Sequence, residues 1–492
     1  MKKLLCVMLV ISLMLSAASV FAEAPQGTPP GEPPEGFNGG TPPGDPPEGF
    51  GGGTPPGEPP EGFGGGNPPG DPPGGGGFGG GTPPGGGTSS FEYAAATEIT
   101  EMTESNGESY SADTADESAM IINTADTVTL ADITVTKTGD SNGGDNCNFY
   151  GLNAAVLVMG GSTTAITGGT IESSASGANG VFCYGGNGGR NGADGDGTTL
   201  YISGTTITTT GDGSGGIMTT GGGVTYAENL TVTTSGRSSA AIRTDRGGGT
   251  VTVNGGTYTS NGLGSPAIYS TADITVRDAT LVSNLSEGVC IEGMNSVTLE
   301  NCDLTANNTQ RNGHATFLDT IMIYQSMSGD ADSGTSAFTM TGGSLTSLSG
   351  HMFHVTNTHA VITLCGVALN NEGSDILLSV CDDGWNGASN IAELNADAQT
   401  LTGTILIGEN STLKLSLTNG SAFEGSISGE ITNAEGTQVS TETGTVSVSL
   451  DETSTWILTA DTYITEFSGN AGNVIGNGYS LSVNGSVLTG IN

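Results

Sequence analysis

Positive charge is scarce in this sequence. Its 492 residues include 10 Lys and Arg against 50 Asp and Glu, which gives a formal net charge of -40 at pH 7. Nucleic acids and anionic membrane surfaces bind proteins through clusters of basic side chains that displace counterions. The composition therefore argues against nucleic acid as a partner and favours an acidic extracellular protein.

Cysteine is also scarce. Six of the seven cysteines follow residue 22: Cys147, Cys183, Cys290, Cys302, Cys365 and Cys381. Six cysteines in a chain of this length do not form a disulfide scaffold. Either pairs such as Cys365 with Cys381, or Cys147 with Cys183, form in an oxidising compartment, or the thiols are free and buried.

A long apolar run occurs at the N-terminus, in "MKKLLCVMLVISLMLSAASVFA". Its basic start, short apolar stretch and small residues around Ala22 predict a cleaved signal peptide over residues 1–22. The run is too short for a membrane span. We therefore expect a protein that is secreted or held at the cell surface, with no membrane span in the mature chain.

Proline is almost confined to one segment. Of the 20 prolines, 19 precede residue 85, within 13-residue repeats such as "TPPGDPPEGFGGG". Paired prolines favour extended polyproline II, and glycine runs are flexible. Residues 23–90 are therefore predicted to form a disordered Pro/Gly-rich linker that acts as a stalk. The alternative is a multivalent ligand for a partner, because one Phe recurs in each repeat.

The chain from residue 91 has a β-strand composition. Units such as "SAAIRTDRGGGTVTVNGGTYTSNG" contain three short strands separated by turns, and they recur about every two dozen residues. The first strands align an apolar column of Met120, Val156, Val181, Ile217, Ile242, Ile268, Cys290, Ile321, Met352 and Ile376. This pattern predicts an all-β parallel β-helix (solenoid) over residues 91–400, which residues 401–492 continue or cap. An antiparallel β-sandwich is the alternative.

The segments "TVTVNGGTYTSNG" and "TTLYISGTTITTTGDG" resemble the right-handed parallel β-helix proteins of the pectate-lyase-like superfamily. The resemblance is greatest to secreted, adhesin-like members from anaerobic bacteria, some of which bind carbohydrate. It implies a right-handed β-helix that binds polysaccharide or another cell-surface ligand.

The same superfamily includes lyases and hydrolases that act on acidic polysaccharides. The Asn-Thr-Asp and Gly-His-Gly signatures of the hydrolases are absent from this sequence. An enzyme is therefore less favoured than a binding protein, and a purely structural surface protein is a third alternative. Asp382 and Asp383, the one acidic pair outside the linker that could suggest catalysis, are interpreted as a loop that is exposed to solvent or binds a cation.

A second apolar column follows one residue after the first. Its members are Ile121, Leu157, Phe182, Met218, Arg243, Tyr269, Ile291, Met322 and Phe353. Because side chains alternate along a strand, this column is predicted to point outward, where aromatic rings can stack on sugars. Otherwise an insertion covers this face, or the alignment is shifted by one residue.

Three of the few cations lie together in "SGRSSAAIRTDRGGG". The predicted binding residues are Arg237, Arg243, Arg246, Tyr269 and Phe182. A guanidinium binds a carboxylate through two parallel hydrogen bonds, so this group suits an acidic sugar. The alternative is local neutralisation, in which the arginines pair with acids such as Asp245.

Asp-Gly loops suggest calcium as a cofactor. The predicted metal ligands are Asp194, Asp196, Asp330 and Asp332, with a further loop at Asp140 and Asp145. Tight turns that alternate Asp and Gly direct several oxygen atoms to one point, but plain turns have the same composition. A transition-metal site in "HMFHVTNTH" is not expected, because His351 and His354 fall on opposite faces of a strand by parity.

Overall fold

The computed structural model describes residues 92–188, 194–385 and 389–492. The predicted signal peptide (1–22) and linker (23–90) lie outside these described residues, so neither they nor the stalk hypothesis is tested. Apart from strands, the described residues include the short helix α1 (Asn146–Phe149) and a 3-10 turn (Ala471–Asn473). None of the described helices is long and apolar enough to span a membrane.

Strands follow one another along the whole described chain. The first eighteen are Ala94–Ala95 (β1), Glu98–Ile99 (β2), Thr103–Asn106 (β3), Ser109–Ala112 (β4), Glu117–Ser118 (β5), Met120–Asn123 (β6), Thr127–Ala131 (β7), Thr134–Lys137 (β8), Val156–Met159 (β9), Thr163–Thr167 (β10), Thr170–Ser173 (β11), Val181–Tyr184 (β12), Thr199–Ser203 (β13), Thr206–Thr209 (β14), Ile217–Thr220 (β15), Gly223–Thr234 (β16), Ile242–Thr244 (β17) and Gly249–Ser260 (β18).

The next fourteen are Ile268–Ser270 (β19), Asp273–Arg277 (β20), Thr280–Ser283 (β21), Val289–Glu292 (β22), Ser296–Glu300 (β23), Asp303–Ala306 (β24), Asp319–Tyr324 (β25), Thr335–Thr341 (β26), Ser344–Ser347 (β27), His351–Thr356 (β28), His359–Cys365 (β29), Ala368–Asn371 (β30), Ile376–Val380 (β31) and Asn390–Asp397 (β32). The last fourteen are Thr400–Thr402 (β33), Thr404–Ile407 (β34), Ser411–Thr418 (β35), Ala422–Gly425 (β36), Ile427–Ser428 (β37), Ile431–Thr432 (β38), Gln438–Ser440 (β39), Thr445–Leu450 (β40), Thr455–Leu458 (β41), Thr462–Ile464 (β42), Glu466–Ser468 (β43), Val474–Ile475 (β44), Leu481–Val483 (β45) and Ser486–Val487 (β46).

Two long parallel sheets contain most of these strands. One has 13 strands in the order β2-β6-β9-β12-β15-β17-β19-β22-β25-β28-β31-β34-β37. The other has 22 strands and two limbs. Its first limb runs β3-β7-β10-β13-β16-β18-β20-β23-β26-β29-β32-β35-β40-β43, and its second runs β4-β8-β11-β14-β16-β18-β21-β24-β27-β30. The long strands β16 and β18 belong to both limbs.

Each strand therefore pairs in parallel with the equivalent strand of the next repeat, as a coil of stacked turns requires. The prediction of an all-β fold with long parallel sheets is confirmed, and these parallel ladders do not fit the antiparallel sandwich. The pairing continues beyond residue 400 through β34 to β37 and β40 to β44. Antiparallel pairing occurs near the end, between β38 and β39 and between β45 and β46.

One face of the 13-stranded sheet carries a column of apolar side chains that point into the core. Its members are Met120, Val156, Val181, Ile217, Ile242, Ile268, Val289, Ile321, Phe353, Leu378, Ile405 and Ile427. All are buried. The predicted column is correct through Ile268 and at Ile321. It is wrong at Cys290 and Met352, which are one residue out of register, and at Ile376, where β31 contains a bulge.

The first limb of most turns ends at a residue with a positive φ. These corner residues are Asp132, Gly168, Gly204, Asn229, Gly255, Asp278, Asn301, Gly342, Gly366 and Ala398. Asp, Asn and Gly adopt the left-handed region at the least cost, which explains all of them except Ala398. The chain therefore turns at the same place in each of these repeats, and in three of them the following glycine (Gly169, Gly256 or Gly343) also has a positive φ.

A ladder of buried serines holds another corner of the coil. The backbone N–H of Ser214 donates to Ser239 Oγ at 2.9 Å, and the N–H of Ser239 donates to Ser265 Oγ at 2.9 Å. The hydroxyl of Ser239 in turn contacts Gly211 O at 3.2 Å. Each serine therefore satisfies buried backbone groups of a neighbouring turn.

The six cysteines that follow the predicted signal peptide are free thiols in the structure. Five are buried and Cys365 is half-buried. Of the two alternatives for cysteine, free thiols are therefore the one present, and neither of the suggested pairs forms.

Replacing Ser239 with Ala should destabilise the coil. The substitution leaves the buried N–H of Ser214 without an acceptor, which typically costs about 1–3 kcal/mol. Urea unfolding followed by circular dichroism measures this loss. The exposed Ser235→Ala is the matched control and should leave the midpoint unchanged; equal midpoints for the two variants would show that the ladder does not contribute.

Candidate functional site

The outward column of the 13-stranded sheet was predicted to be an open binding face. In the structure it consists of Ile121, Leu157, Phe182, Met218, Arg243, Tyr269, Cys290, Met322, His354, Ser379, Leu406 and Ser428. Ile291 and Phe353, which were predicted to point outward, are buried in the interior instead. The register was shifted because both faces of these strands are apolar.

Phe182 is not an open stacking platform. Its side chain is fully buried in a second apolar cluster with Leu157 and Met218. The segment that contains α1 covers it: a Cβ at Gly151 would lie 2.9 Å from the Phe182 ring. The prediction that Phe182 binds a ligand is therefore wrong, and the alternative that an insertion covers this face is correct here.

Arg243 and Tyr269 are neighbours on adjacent strands, as predicted. The guanidinium of Arg243 lies 5.5 Å from the centre of the Tyr269 ring. It donates to Asp245 Oδ2 at 2.7 Å and to Ser238 O at 3.0 Å. The groups that were predicted to bind an acidic sugar are therefore already occupied by Asp245 and the backbone.

Arg246 is also paired within the protein. Its Nη2 lies 2.5 Å from Asp330 Oδ1, and its guanidinium carbon lies 4.1 Å from the centre of the Phe149 ring. Arg237 is exposed and donates to Asn312 Oδ1 at 3.3 Å. The three arginines are close along the chain, but their partners differ: Arg243 pairs with Asp245 in its own segment, whereas Arg246 and Arg237 contact the distant Asp330 and Asn312. This geometry favours local neutralisation.

Tyr269 belongs to a hydrogen-bond network around a buried carboxylate. Its hydroxyl donates to Glu292 Oε2 at 2.5 Å, and Tyr324 donates to the same oxygen at 3.2 Å. The hydroxyls of Ser326 and Ser328 donate to the other oxygen of Glu292. Burial raises the pKa of Glu292 although these hydrogen bonds oppose the shift. The Tyr269 hydroxyl is therefore already hydrogen-bonded to the Glu292 carboxylate.

The predicted calcium ligands do not converge. Asp196 accepts hydrogen bonds from the N–H and the hydroxyl of Thr198, and Asp330 pairs with Arg246. Asp194 and Asp332 are exposed. Among the described residues, no group of three or more His, Cys, Asp and Glu side chains is arranged to hold a metal ion. Calcium therefore stays a prediction that needs a direct test.

A buried polar cluster lies at the other end of the covered face. His354 Nε2 lies 3.4 Å from Asp383 Oδ2, and both side chains are fully buried. Although burial opposes the shift, the hydrogen bond and charge of His354 lower the pKa of Asp383. The expectation that Asp383 is exposed to solvent is therefore wrong.

His351 and His354, which were predicted to lie on opposite faces of a strand, both contact the same hydroxyl group. His351 Nδ1 and His354 Nδ1 lie 2.8 Å and 2.7 Å from Ser379 Oγ. Burial, together with the charge of His354, lowers the pKa of His351 to about 3. Phe317 stacks on His354 with ring centres 4.6 Å apart, so the cluster is closed off from the exterior.

Asp319 is the most isolated carboxylate of this cluster. It is 1% exposed, and its Oδ1 has no hydrogen-bond partner. Burial raises its pKa well above the usual value, and the charges of Glu287 and Asp383 add to the shift. A polysaccharide has no access to these acids, which disfavours the lyase and hydrolase alternative at this place.

The 22-stranded sheet presents a face that insertions do not cover. We call the outward residues of its two limbs the open face. One column on the first limb reads Thr129, Ala165, Tyr201, Tyr226, Thr252, Thr275, Thr298, Thr339 and Thr363. All nine are half-buried and uncharged. We call this set the tyrosine column.

Tyr201 and Tyr226 form a stacked pair within the tyrosine column. Their ring centres are 5.1 Å apart and their planes differ by 13°. Ala165 precedes the pair and Thr252 follows it, so each ring has a small neighbour on its outer side. Burial raises the pKa of Tyr201, and the neighbouring Tyr226 adds to the shift.

A second column on the open face consists of exposed threonines. The threonine ladder comprises Thr134, Thr170, Thr206, Thr231, Thr257 and Thr280. Adjacent members lie on hydrogen-bonded strands, so they repeat at the strand spacing of about 4.8 Å. Each threonine offers one hydroxyl donor, two acceptor lone pairs and a methyl group. The tyrosine column and the threonine ladder are therefore regular and uncharged, whereas neighbouring outward positions carry the charged residues Glu228, Arg277 and Glu300.

Sequence reasoning missed this face. The signal was present, because "LYISG" and "VTYAE" place Tyr201 and Tyr226 at the same position of consecutive repeats. The predicted binding face was instead the more apolar outward column of the 13-stranded sheet, which insertions cover. In comparisons with known proteins, no family model and no curated sequence matches this chain.

A cavity of about 730 Å³ lies elsewhere, beside the strands β30 and β33. These strands belong to different sheets. The side chain of Gln399 bridges them: its Oε1 accepts from Val367 N at 2.7 Å and its Nε2 donates to Val367 O at 2.9 Å. None of the predicted binding residues lines this cavity, so it is a separate feature of the fold.

Arg243→Gln should destabilise the protein more at pH 8 than at pH 5. Burial raises the pKa of Asp245 to about 6, Arg243 opposes this shift, and Asp330 adds to it. A raised carboxyl pKa gives stability that is present below the unfolded pKa of about 3.9 and lost as the pH rises through the folded pKa. Without Arg243 the ionised carboxylate is unpaired, which costs about 3 kcal/mol at pH 8.

Urea midpoints at the two pH values measure this difference. Arg277→Gln is the matched control, because the exposed pair of Arg277 with Glu300 contributes less than about 1 kcal/mol. If Arg243→Gln behaves like Arg277→Gln at both pH values, Arg243 is not the internal partner of Asp245.

Calcium should raise the melting temperature if the Asp-Gly loops bind it. A ligand that prefers the folded state stabilises it by an amount that grows with the logarithm of ligand concentration. Melting in millimolar calcium, then in excess chelator, measures the effect, and Asp196→Asn and Asp332→Asn test the loops separately. An unchanged melting temperature means that these loops are turns.

Proposed function

We propose that this protein is an exported, adhesin-like, right-handed parallel β-helix that binds polysaccharide at the cell surface or in the extracellular matrix. The ligand contacts the open face. The observation that supports the proposal most directly is the stacked pair of Tyr201 and Tyr226 within a column of uncharged, mostly hydroxyl-bearing side chains. The right-handed sense is part of the proposal, because about 98% of crossovers between parallel strands are right-handed.

Both polar and apolar parts of a sugar find partners on this face. Aromatic rings stack on the C–H faces of a sugar, while hydroxyls of the threonine ladder exchange hydrogen bonds with its hydroxyls. The repeat of the ladder follows the strand spacing, so a linear polymer can meet equivalent groups at successive turns. Once one sugar is bound, the next sugars of the same polymer are held at a high effective concentration, so several weak contacts give a higher overall affinity.

Charge favours a neutral polysaccharide over an acidic one. The formal net charge of -40 repels polyanions. The arginines that were predicted to bind an acidic sugar are already paired with Asp245 and Asp330. Uncharged residues make up both the tyrosine column and the threonine ladder. A neutral polymer therefore meets no repulsion and leaves no buried charge unpaired.

Tyr201→Ala and Tyr226→Ala should each weaken binding about tenfold, because an aromatic contact contributes about 1.4 kcal/mol. Calorimetry with soluble xylan and mixed-linkage glucan, together with sedimentation on cellulose and chitin, measures the affinity. Polygalacturonate tests the acidic alternative.

The matched control is Tyr463→Ala, which removes an exposed tyrosine outside the open face. It should leave affinity unchanged. If no neutral polysaccharide binds, or if Tyr463→Ala weakens binding as much as Tyr201→Ala does, the open face is not the site. Release of reducing ends or unsaturated products would instead support the enzyme alternative.

A further inference from the structure

A lysine is buried where its neighbours in the coil are small. Lys137 is fully buried, and its equivalents on adjacent strands are Ala112 and Ser173, followed by Thr209 and Thr234. Burying an ammonium group is costly unless its charge is paired. The chain has only 10 Lys and Arg residues, so a fully buried one needs an explanation.

The Nζ of Lys137 contacts backbone carbonyls. It donates to Thr114 O at 3.1 Å and also to Gly139 O. The side-chain amide of Asn153 donates to the same Gly139 oxygen at 3.0 Å. Two nitrogens that share one acceptor lie within two hydrogen-bond lengths of each other, roughly 6 Å.

Asn153 is as enclosed as Lys137. It is 1% exposed, its φ is 64°, and its Oδ1 has no hydrogen-bond partner. In the next turn, by contrast, the side-chain oxygen of Asn179 accepts from Gly215 N at 2.7 Å. Asn153 therefore has a buried amide oxygen whose hydrogen-bonding capacity is unused.

The amine has the character of a nucleophile. Burial lowers the pKa of Lys137, against the opposing charges of Glu117, Asp140, Asp116 and Asp113. A neutral lysine amine attacks carbonyl carbon, whereas the ammonium form does not. The enclosed position also excludes water, which would otherwise compete for the same carbon.

We propose that Lys137 and Asn153 form an intramolecular isopeptide bond. The Nζ of Lys137 attacks Asn153 Cγ, the new C–N bond forms, and the bond from Cγ to Nδ2 breaks. The proton that Nζ loses passes to the departing nitrogen, so one neutral ammonia molecule leaves and no oxidant is required.

The bond would attach the end of β8 to the segment that precedes β9. That segment contains α1 and packs over Leu157 and Phe182. A covalent link would restrict the separation of this cover from the coil, as a disulfide restricts an unfolded loop. The inference is independent of polysaccharide binding, because it concerns the interior and not the open face.

Mass spectrometry of the purified full chain tests the proposal. Lysine occurs only at positions 2, 3, 137 and 414, so tryptic cleavage after residue 137 is easy to follow. After denaturation, the linked protein should resist this cleavage, and the peptide that contains both residues should be lighter by one ammonia molecule. Complete cleavage after Lys137, with peptide masses that show no loss of ammonia, would overturn the proposal.

Single substitutions test whether the loss of ammonia depends on Lys137 and Asn153. Asn153→Ala should restore cleavage after Lys137 and abolish the mass loss, and Lys137→Gln should abolish the mass loss. The control Lys414→Gln, at an exposed lysine, should keep the mass loss at residues 137 and 153. A mass loss that persists in Asn153→Ala would also contradict the assignment.

Discussion

One constraint governs the whole molecule: each turn of the chain must lie in parallel register on the turn before it. Backbone hydrogen bonds in a parallel ladder come from two neighbours, so a turn cannot satisfy its own strands. Each residue therefore lies next to the residues at the equivalent position in the preceding and following turns. The apolar interior column, the left-handed corners and the serine ladder are three consequences of this repetition.

The repetition is also why much of the fold could be predicted from sequence. Apolar residues at equal positions of successive repeats identified the interior column correctly from Met120 to Ile268. The register failed at Cys290, where Val289 is the interior residue. Alternation distinguishes the two faces of a strand only if one of them is polar. Here insertions cover the outer face, so both faces are apolar and parity carries no information.

The functional groups were harder to predict, because they depend on contacts between distant insertions. Arg246 pairs with Asp330, which is 84 residues away in sequence. His354 meets Asp383 through a turn that looked open to solvent. Repeats specify where a strand stacks, but they do not specify where an insertion folds back. The sequence shows that the three arginines are close along the chain, but their partners could be identified only in the structure.

The distribution of cations links the interior to the proposed surface. Among the residues that the structure describes, Arg243, Arg246, Arg277, Arg311 and Lys414 each contact a carboxylate. Arg237 contacts Asn312, and Lys137 contacts buried carbonyls. Binding a polyanion would therefore require breaking pairs that already stabilise the coil, in a protein whose net charge repels such a ligand. The tyrosine column and the threonine ladder need no such exchange, since their side chains are uncharged. Recognition on the open face then depends on shape, stacking and hydroxyl contacts repeated from turn to turn.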